Sequence, residues 1–195
     1  VRIDPFYLDE HEVTNEEYAG FVAEAHHRPP YHWPEGKFPA GKGKIAVVNV
    51  SWDDAAAYAR WAHKRLPTEA EWERACRGIA GKTMYPWGDR KLAKTDARYA
   101  AIDGPGEVCK FKPNYFGLHD MAGNVWEWTA DWYDRTYYER APAENPKGPE
   151  KGAYRVIRGG SWADVEKYLT CAYRSWARPA ERSPNIGFRC AKSFQ

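Results

Sequence analysis

The chain has 195 residues, room for one domain, and a net charge of +2, so neither nucleic acid nor an anionic membrane is an expected partner. No apolar run approaches the roughly 20 residues that a membrane span needs, and the four cysteines, at 76, 109, 171 and 190, contain no CxxC pair, which argues against a zinc ribbon. Ten Trp, 13 Tyr and 7 Phe stand beside 16 Gly and 14 Pro, which predicts irregular backbone knitted by aromatics and hydrogen bonds rather than an aliphatic layered core.

In chain order, residues 3–9 predict a short strand. Thr14 with Glu17 three positions on forms a capping box, so a helix is expected from about Asn15 to Ala25, burying Tyr18, Phe21 and Val22. Residues 26–44 are rich in Pro, Gly, His and Lys and predict a long loop. His26, His27 and His32 fall there, but adjacent histidines point about 100° apart and no carboxylate completes a triad, so a solvated loop is expected rather than an iron site. Val47–Val50 predicts an extended segment. Ser51 then caps a second helix running to about residue 63, with Asp53 and Asp54 in the first turn, where they suit the dipole. Thr68 and Glu71 start a third helix that turns Trp72, Ala75 and Cys76 inward.

After Gly78 the helical signals stop. Turns, short strands and loops follow, including the Trp run at 126–132, with 154–162 and 187–191 as the best strands. Helices followed by an irregular β half are an α+β pattern, and no repeat or linker divides residues 1–195. No signal peptide is visible. The chain opens mid-pattern at Val1-Arg2-Ile3, as if a leader had been removed or left out, and its location is open.

The densest chemistry lies at Gly123-Asn-Val-Trp-Glu-Trp-Thr-Ala-Asp-Trp-Tyr133. Glu127 sits between Trp126 and Trp128, and a carboxylate buried among indoles is costly unless a cation or hydrogen bonds compensate it. Two readings follow: a packed polar knot, or a hard-cation site built from Glu127, Asp120 and nearby carbonyls.

The order of motifs is more specific than any one of them. Thr14-Asn-Glu-Glu-Tyr, Val50-Ser-Trp-Asp-Asp-Ala, Arg65-Leu-Pro-Thr-Glu-Ala-Glu-Trp-Glu, Tyr85-Pro-Trp-Gly-Asp, Asn114-Tyr-Phe-Gly-Leu-His-Asp-Met-Ala-Gly-Asn-Val-Trp-Glu-Trp, Arg158-Gly-Gly-Ser-Trp and Asn185-Ile-Gly-Phe-Arg-Cys follow one another. This succession resembles the formylglycine-generating enzyme (sulfatase-modifying factor) family from about residue 3 to 192, although the family's opening strand with its Met-Gly is absent. The resemblance implies a C-type-lectin-like α+β fold with much irregular structure, stabilised by calcium. It implies calcium ligands at Asp120 and Glu127 (carboxylates) and at Gly123 and Val125 (backbone oxygens). A second calcium site would begin at Asp96 and Ala97, but the loop that completes it is shorter here. It also implies a Cys76–Cys190 disulfide, worth on the order of 4 kcal/mol for a loop of over a hundred residues; a second bridge between Cys109 and Cys171 is left open. Such bridges would place the protein in a secreted or periplasmic, oxidising setting; buried free thiols remain the alternative.

The family's namesake enzymes oxidise a cysteine of a sulfatase peptide to formylglycine with copper and oxygen. Relatives include domains of sulfoxide synthases, a pyoverdine-maturation protein and variable ligand-binding proteins. The enzymes carry two cysteines, four residues apart, after the Arg-Gly-Gly-Ser-aromatic motif, a soft pair for Cu(I). Here the first position falls on Asp164 and the second near Ala172, beside Cys171. One thiol cannot make a two-coordinate site, so copper is not expected. The iron-bearing helical bundle of the sulfoxide synthases is also missing, so iron is not expected either.

Candidates for any chemistry are Asp164, as base or hard ligand, Ser161, and Cys171, which would need a lowered pKa to act as a nucleophile and needs nothing to be structural. Trp162, Tyr173, Arg174, Trp176 and Arg178 would line the family's groove together with Ser161 and Asp164. The expected function is a binding or accessory domain that engages a peptide, a small molecule, or another domain or subunit through residues 158–178. The alternatives are an oxygen-dependent oxidoreductase of the broader family with a different metal site, and a purely structural domain.

Overall fold

The computed structural model describes residues 1–79 and 81–194. Three α-helices form where the capping boxes predict them: α1 (Asn15–Ala25), α2 (Trp52–Trp61) and α3 (Glu69–Arg77). In each, the N-cap hydroxyl accepts from the N3 backbone N–H while the N3 carboxylate accepts from the N-cap N–H: Thr14 with Glu17, Ser51 with Asp54, Thr68 with Glu71. Two of the four orphan donors at each helix start are thereby satisfied locally.

The strands are β1 (Phe6–Leu8), β2 (Trp126–Trp132), β3 (Arg155–Arg158), β4 (Ser175–Ala177), β5 (Ile186–Gly187) and β6 (Ala191–Ser193). One sheet has the order β4-β3-β2-β5, antiparallel except for the parallel β2–β5 pair. Glu127 lies opposite Arg158 and next to Gly187 in this sheet. A two-stranded sheet pairs β1 with β6, joining the two ends of the chain.

The Trp run is thus the longest strand, central in the sheet rather than one of several turns. Its residues are buried with little alternation, as expected of a strand covered on both faces. The segment expected as a strand over 154–162 shortens to 155–158 because Gly159 and Gly160 turn the chain with φ of 99° and 76°. A Cβ on Gly159 would also lie 3.2 Å from the Trp72 ring. The segment expected over 187–191 divides between β5 and β6.

The main core is aromatic. Tyr18 stacks on Tyr58 at 5.7 Å between ring centres, Phe21 meets both edge-on, and Phe188 closes the cluster from the end of β5. Trp126 and Trp128 of β2 pack into the same cluster, and the Trp128 indole N–H donates to the Val50 carbonyl.

The expected Cys76–Cys190 bridge does not form; Cys76 is bonded to Cys171, 95 residues away, with Cα atoms 5.7 Å apart. The reason lies in the packing. Cys76 points from α3 into a second cluster with Trp72, Met121 and Cys171, whereas Cys190 belongs to the main aromatic core. Cys109 is exposed and free, so a Cys109–Cys171 bridge does not form either. Closing a loop of this length removes unfolded-state entropy worth about 4–5 kcal/mol in the chain-entropy account. Among the described residues, no helix is long and apolar enough to cross a membrane.

Candidate functional site

Residues 158–178 run from the end of β3 to β4, its antiparallel neighbour at the sheet edge. Beneath them lies a buried ion-pair knot. Arg158 has no exposed side chain and donates to the Glu73 carboxylate and to the carbonyls of Cys171 and Tyr173. Arg174 grips Glu69 through two hydrogen bonds of 2.6 and 2.8 Å and covers the rings of Tyr133 and Tyr138. Glu69 also lies 3.6 Å from Arg158. Two guanidinium groups of this segment therefore face two carboxylates, and both arginines hold it to α3.

The expected groove residues separate into two groups. Ser161 is buried, and its N–H and hydroxyl both donate to Asp164, whose carboxylate ties off this turn. Trp162 is half-buried and donates to the Pro184 carbonyl. Tyr173 packs 4.9 Å from Tyr168 and 6.1 Å from Trp126, at the margin of the core. Arg174 serves the knot. Cys171 is oxidised in the disulfide, so no free thiol remains between 158 and 178. Trp176 and Arg178 are exposed: the Trp176 ring is 47% accessible and rests 4.3 Å from Tyr154 and 6.1 Å from Tyr133. The result is an aromatic patch on an edge strand, rimmed by Tyr138 and Arg178.

The Trp-Glu-Trp motif carries a different knot. Both oxygens of Glu127 accept from Arg189 at 2.8 Å, and Oε2 also accepts the Trp72 indole N–H at 2.8 Å. Arg189 also donates to the carbonyls of Asp9, Glu10 and His119. Glu12, fully buried, accepts from Asn124 Nδ2 at 2.6 Å and from the Val125 N–H at 3.2 Å. Asp120 accepts the Cys109 N–H. Burial first, then repulsion from Asp120 and Glu127, pushes the Glu12 carboxyl well above the usual range; burial also raises Asp120. Burial beside Asp120 and Glu10 also pushes the Cys109 thiol up to about 11, a poor setting for a nucleophile.

Three carboxylates therefore share this region with one guanidinium. The surplus negative charge and the hard oxygen donors suit a divalent cation such as calcium. Each carboxylate oxygen has two lone pairs, so Glu127 Oε1 can serve Arg189 and an ion together. Gly123, with φ of 80°, fits a backbone only glycine allows here, because a Cβ would lie 2.3 Å from the Arg98 carbonyl oxygen. At the second expected site, Ala97 is buried, and the Asp96 carboxylate is gripped by both terminal nitrogens of Arg90 and capped by the Ala93 N–H. His27 pairs with Asp54 at 2.9 Å and packs 4.6 Å from Phe21, while His26 ends α1 at φ 50°.

Glu12 and Arg189 were invisible as site residues in the sequence. Arg189 stands in the Asn185-Ile-Gly-Phe-Arg-Cys motif as a lone cation between the apolar Phe188 and Cys190, with no sign there of its partner.

A family profile described as "Sulfatase-modifying factor enzyme 1-like domain" matches residues 1–194. A formylglycine-generating enzyme of Streptomyces coelicolor is 38% identical, over 98% of this chain and 79% of its own length. The serine/threonine-protein kinase pkn1 of Chlamydia pneumoniae is 37% identical over the whole of this chain, which spans 34% of that protein's length. Among solved structures, the Treponema denticola variable protein 1 superposes with a TM-score of 0.83 at 27% identity, covering 98% of this chain and 86% of that one. With three helices, two small sheets and much irregular backbone, the fold is the expected C-type-lectin-like one. The chain belongs to the FGE-sulfatase, or sulfatase-modifying factor, family.

Proposed function

We propose that this domain is a ligand-binding or accessory member of its family, engaging an extended peptide along β4, and that it does not form formylglycine with copper. The observation that carries this reading is the Cys76–Cys171 disulfide. It takes up the one thiol of the 158–178 segment, where the family resemblance puts Asp164 at the other cysteine position and the Asp164 carboxylate closes the Ser161 turn. The exposed Trp176 on the edge strand, backed by half-buried Tyr154, supports the peptide. Edge strands accept an added strand through backbone hydrogen bonds, and a large aromatic supplies a contact anchor.

Calcium is proposed as a structural ion of the same domain, held by Asp120, Glu127 and the carbonyls of Gly123 and Val125, with Glu12 adding charge beside them. An oxidoreductase with a different metal would need Asp164 released from Ser161.

The test uses a cysteine-containing sulfatase-type peptide, read by fluorescence anisotropy for binding and by mass spectrometry after incubation with Cu(I) and oxygen. The expected result is binding without oxidation, weakened at least tenfold in Trp176→Ala. Conversion of the peptide cysteine to formylglycine, or binding unaffected by Trp176→Ala, would overturn the reading.

A further inference from the structure

Outside these sites, Glu10, Cys109 and His119 bring a carboxylate oxygen, a thiol and an imidazole nitrogen together, all three within 4.8 Å of one another. They come from three separate stretches of chain: the turn after β1, the loop before Phe111, and the Leu118-His-Asp segment. None belongs to the calcium set or to the 158–178 surface. We propose that these three side chains bind one zinc ion, leaving a fourth coordination position open to solvent.

Four observations support this. First, His119 Nδ1 lies 2.8 Å from the Phe111 carbonyl oxygen. A carbonyl only accepts, so Nδ1 carries a proton, and Nε2 is the nitrogen turned toward Glu10, where it can ligate a metal once its own proton is displaced. Metal-binding histidines are oriented in this way, the distal N–H fixed on a backbone carbonyl or carboxylate. Second, that Nε2 faces Glu10 Oε1 at 3.5 Å. Two lone-pair atoms at this separation repel unless a proton or a cation lies between them. Tetrahedral zinc with bonds of about 2.0–2.3 Å separates its ligand atoms by about 3.3–3.8 Å, and the observed gap falls in that interval.

Third, the ligands are braced before any metal arrives. The His119 N–H donates to the Glu10 carbonyl at 2.8 Å, and Arg189 bonds the carbonyls of both residues. The Cys109 N–H is held by Asp120, the residue after His119. Fourth, Cys109 has φ of 62°, a left-handed conformation that non-glycine residues seldom adopt, and in it the thiol lies within 4.8 Å of the other two ligand atoms.

Sulfur, nitrogen and oxygen donors in a set of three suit zinc over calcium, which takes oxygen alone, and over magnesium, which keeps its water. Three protein ligands with one open position describe an exchangeable site rather than a closed structural one.

Cobalt(II) reports such a site directly, because thiolate coordination gives a near-ultraviolet charge-transfer band and tetrahedral geometry an intense visible one. The titration uses the whole protein in excess calcium, so that the hard-oxygen site is saturated and silent. The expected result is one equivalent of cobalt with both bands, displaced by one equivalent of zinc. Cys109→Ser, at an exposed position that does not disturb packing, removes the charge-transfer band. Glu10→Gln, also exposed, weakens binding about tenfold or more while circular dichroism stays unchanged. Absence of a thiolate band in the wild type, or its persistence in Cys109→Ser, would overturn the proposal; the second result would trace cobalt to Cys190.

Discussion

Two buried clusters of charge meet at Trp72, whose indole N–H bonds Glu127 of one while its ring lies 5.3 Å from the Arg158 guanidinium of the other. They are built from the same residue types and solve burial differently. The cluster under residues 158–178 sets Arg158, Arg174 and Arg77 against Glu69 and Glu73, three cations for two anions. The cluster under the Trp-Glu-Trp motif sets Glu12, Asp120 and Glu127 against Arg189 alone. A charge taken from water must be matched locally or neutralised by a proton. The first cluster gives each carboxylate a guanidinium partner and works as scaffold, and the second holds more carboxylates than cations. This places matched charge under residues 158–178, and surplus negative charge where the core strand begins.

The largest expected effect comes from the scaffold. Replacing Cys76 and Cys171 together by Ala should lower unfolding free energy by about 4–5 kcal/mol in urea denaturation. A change below about 1 kcal/mol would mean that the bridge contributes little and that the segment could move. Next, Arg189→Met should cost about 3–5 kcal/mol, because it leaves Glu127 buried with no cation. Arg174→Ala should cost less, about 1–3 kcal/mol, because Glu69 keeps Arg158 as a neighbour. If Arg174→Ala proved as damaging as Arg189→Met, the two clusters would not differ as described.

The smallest effect concerns Asp131, below the first cluster. It accepts the Glu69 N–H with one oxygen and, among the described residues, leaves the other buried without a partner. Burial, then repulsion from Glu69 and Glu71, pushes its carboxyl up to about 7. A raised carboxyl binds its proton more tightly in the folded chain than in the unfolded one. Its stabilising share is therefore full below the ordinary carboxylate range and is lost as pH rises through about 7. Asp131→Asn should flatten the fall in Tm between pH 6 and pH 8; an unchanged slope would assign that fall to another group.

The parts of the fold that were legible in sequence are those decided within a few residues. Thr14 with Glu17, Ser51 with Asp54 and Thr68 with Glu71 place three helix starts because a capping box is complete in four positions. The family was legible because its motifs keep their order along the whole chain. The disulfide was not. Its pairing depends on Cys76 and Cys190 lying in different packing clusters, a tertiary fact with no local signal. Glu127 invited both an ion and a polar knot, and the structure supplies Arg189 and Trp72 as its partners without deciding against the ion. Glu12 was missed because a single carboxylate before a helix cap looks like surface until the fold buries it. The groove was half legible: Trp176 and Arg178 reach the surface, while Arg174 and Ser161 are drawn inward by partners far away or in their own turn.

The difference between the clusters is tested most directly by calcium titration of the thermal midpoint in chelator-treated protein. One calcium ion binding the second cluster should stabilise the folded state by about 2.7 kcal/mol at a hundredfold excess over Kd. For a domain of this size that is a rise in Tm of roughly 5–10 °C, saturating at one equivalent and reduced in Asp120→Asn. A midpoint that does not move with calcium would contradict the account and mean that a proton on Glu12 completes the cluster instead.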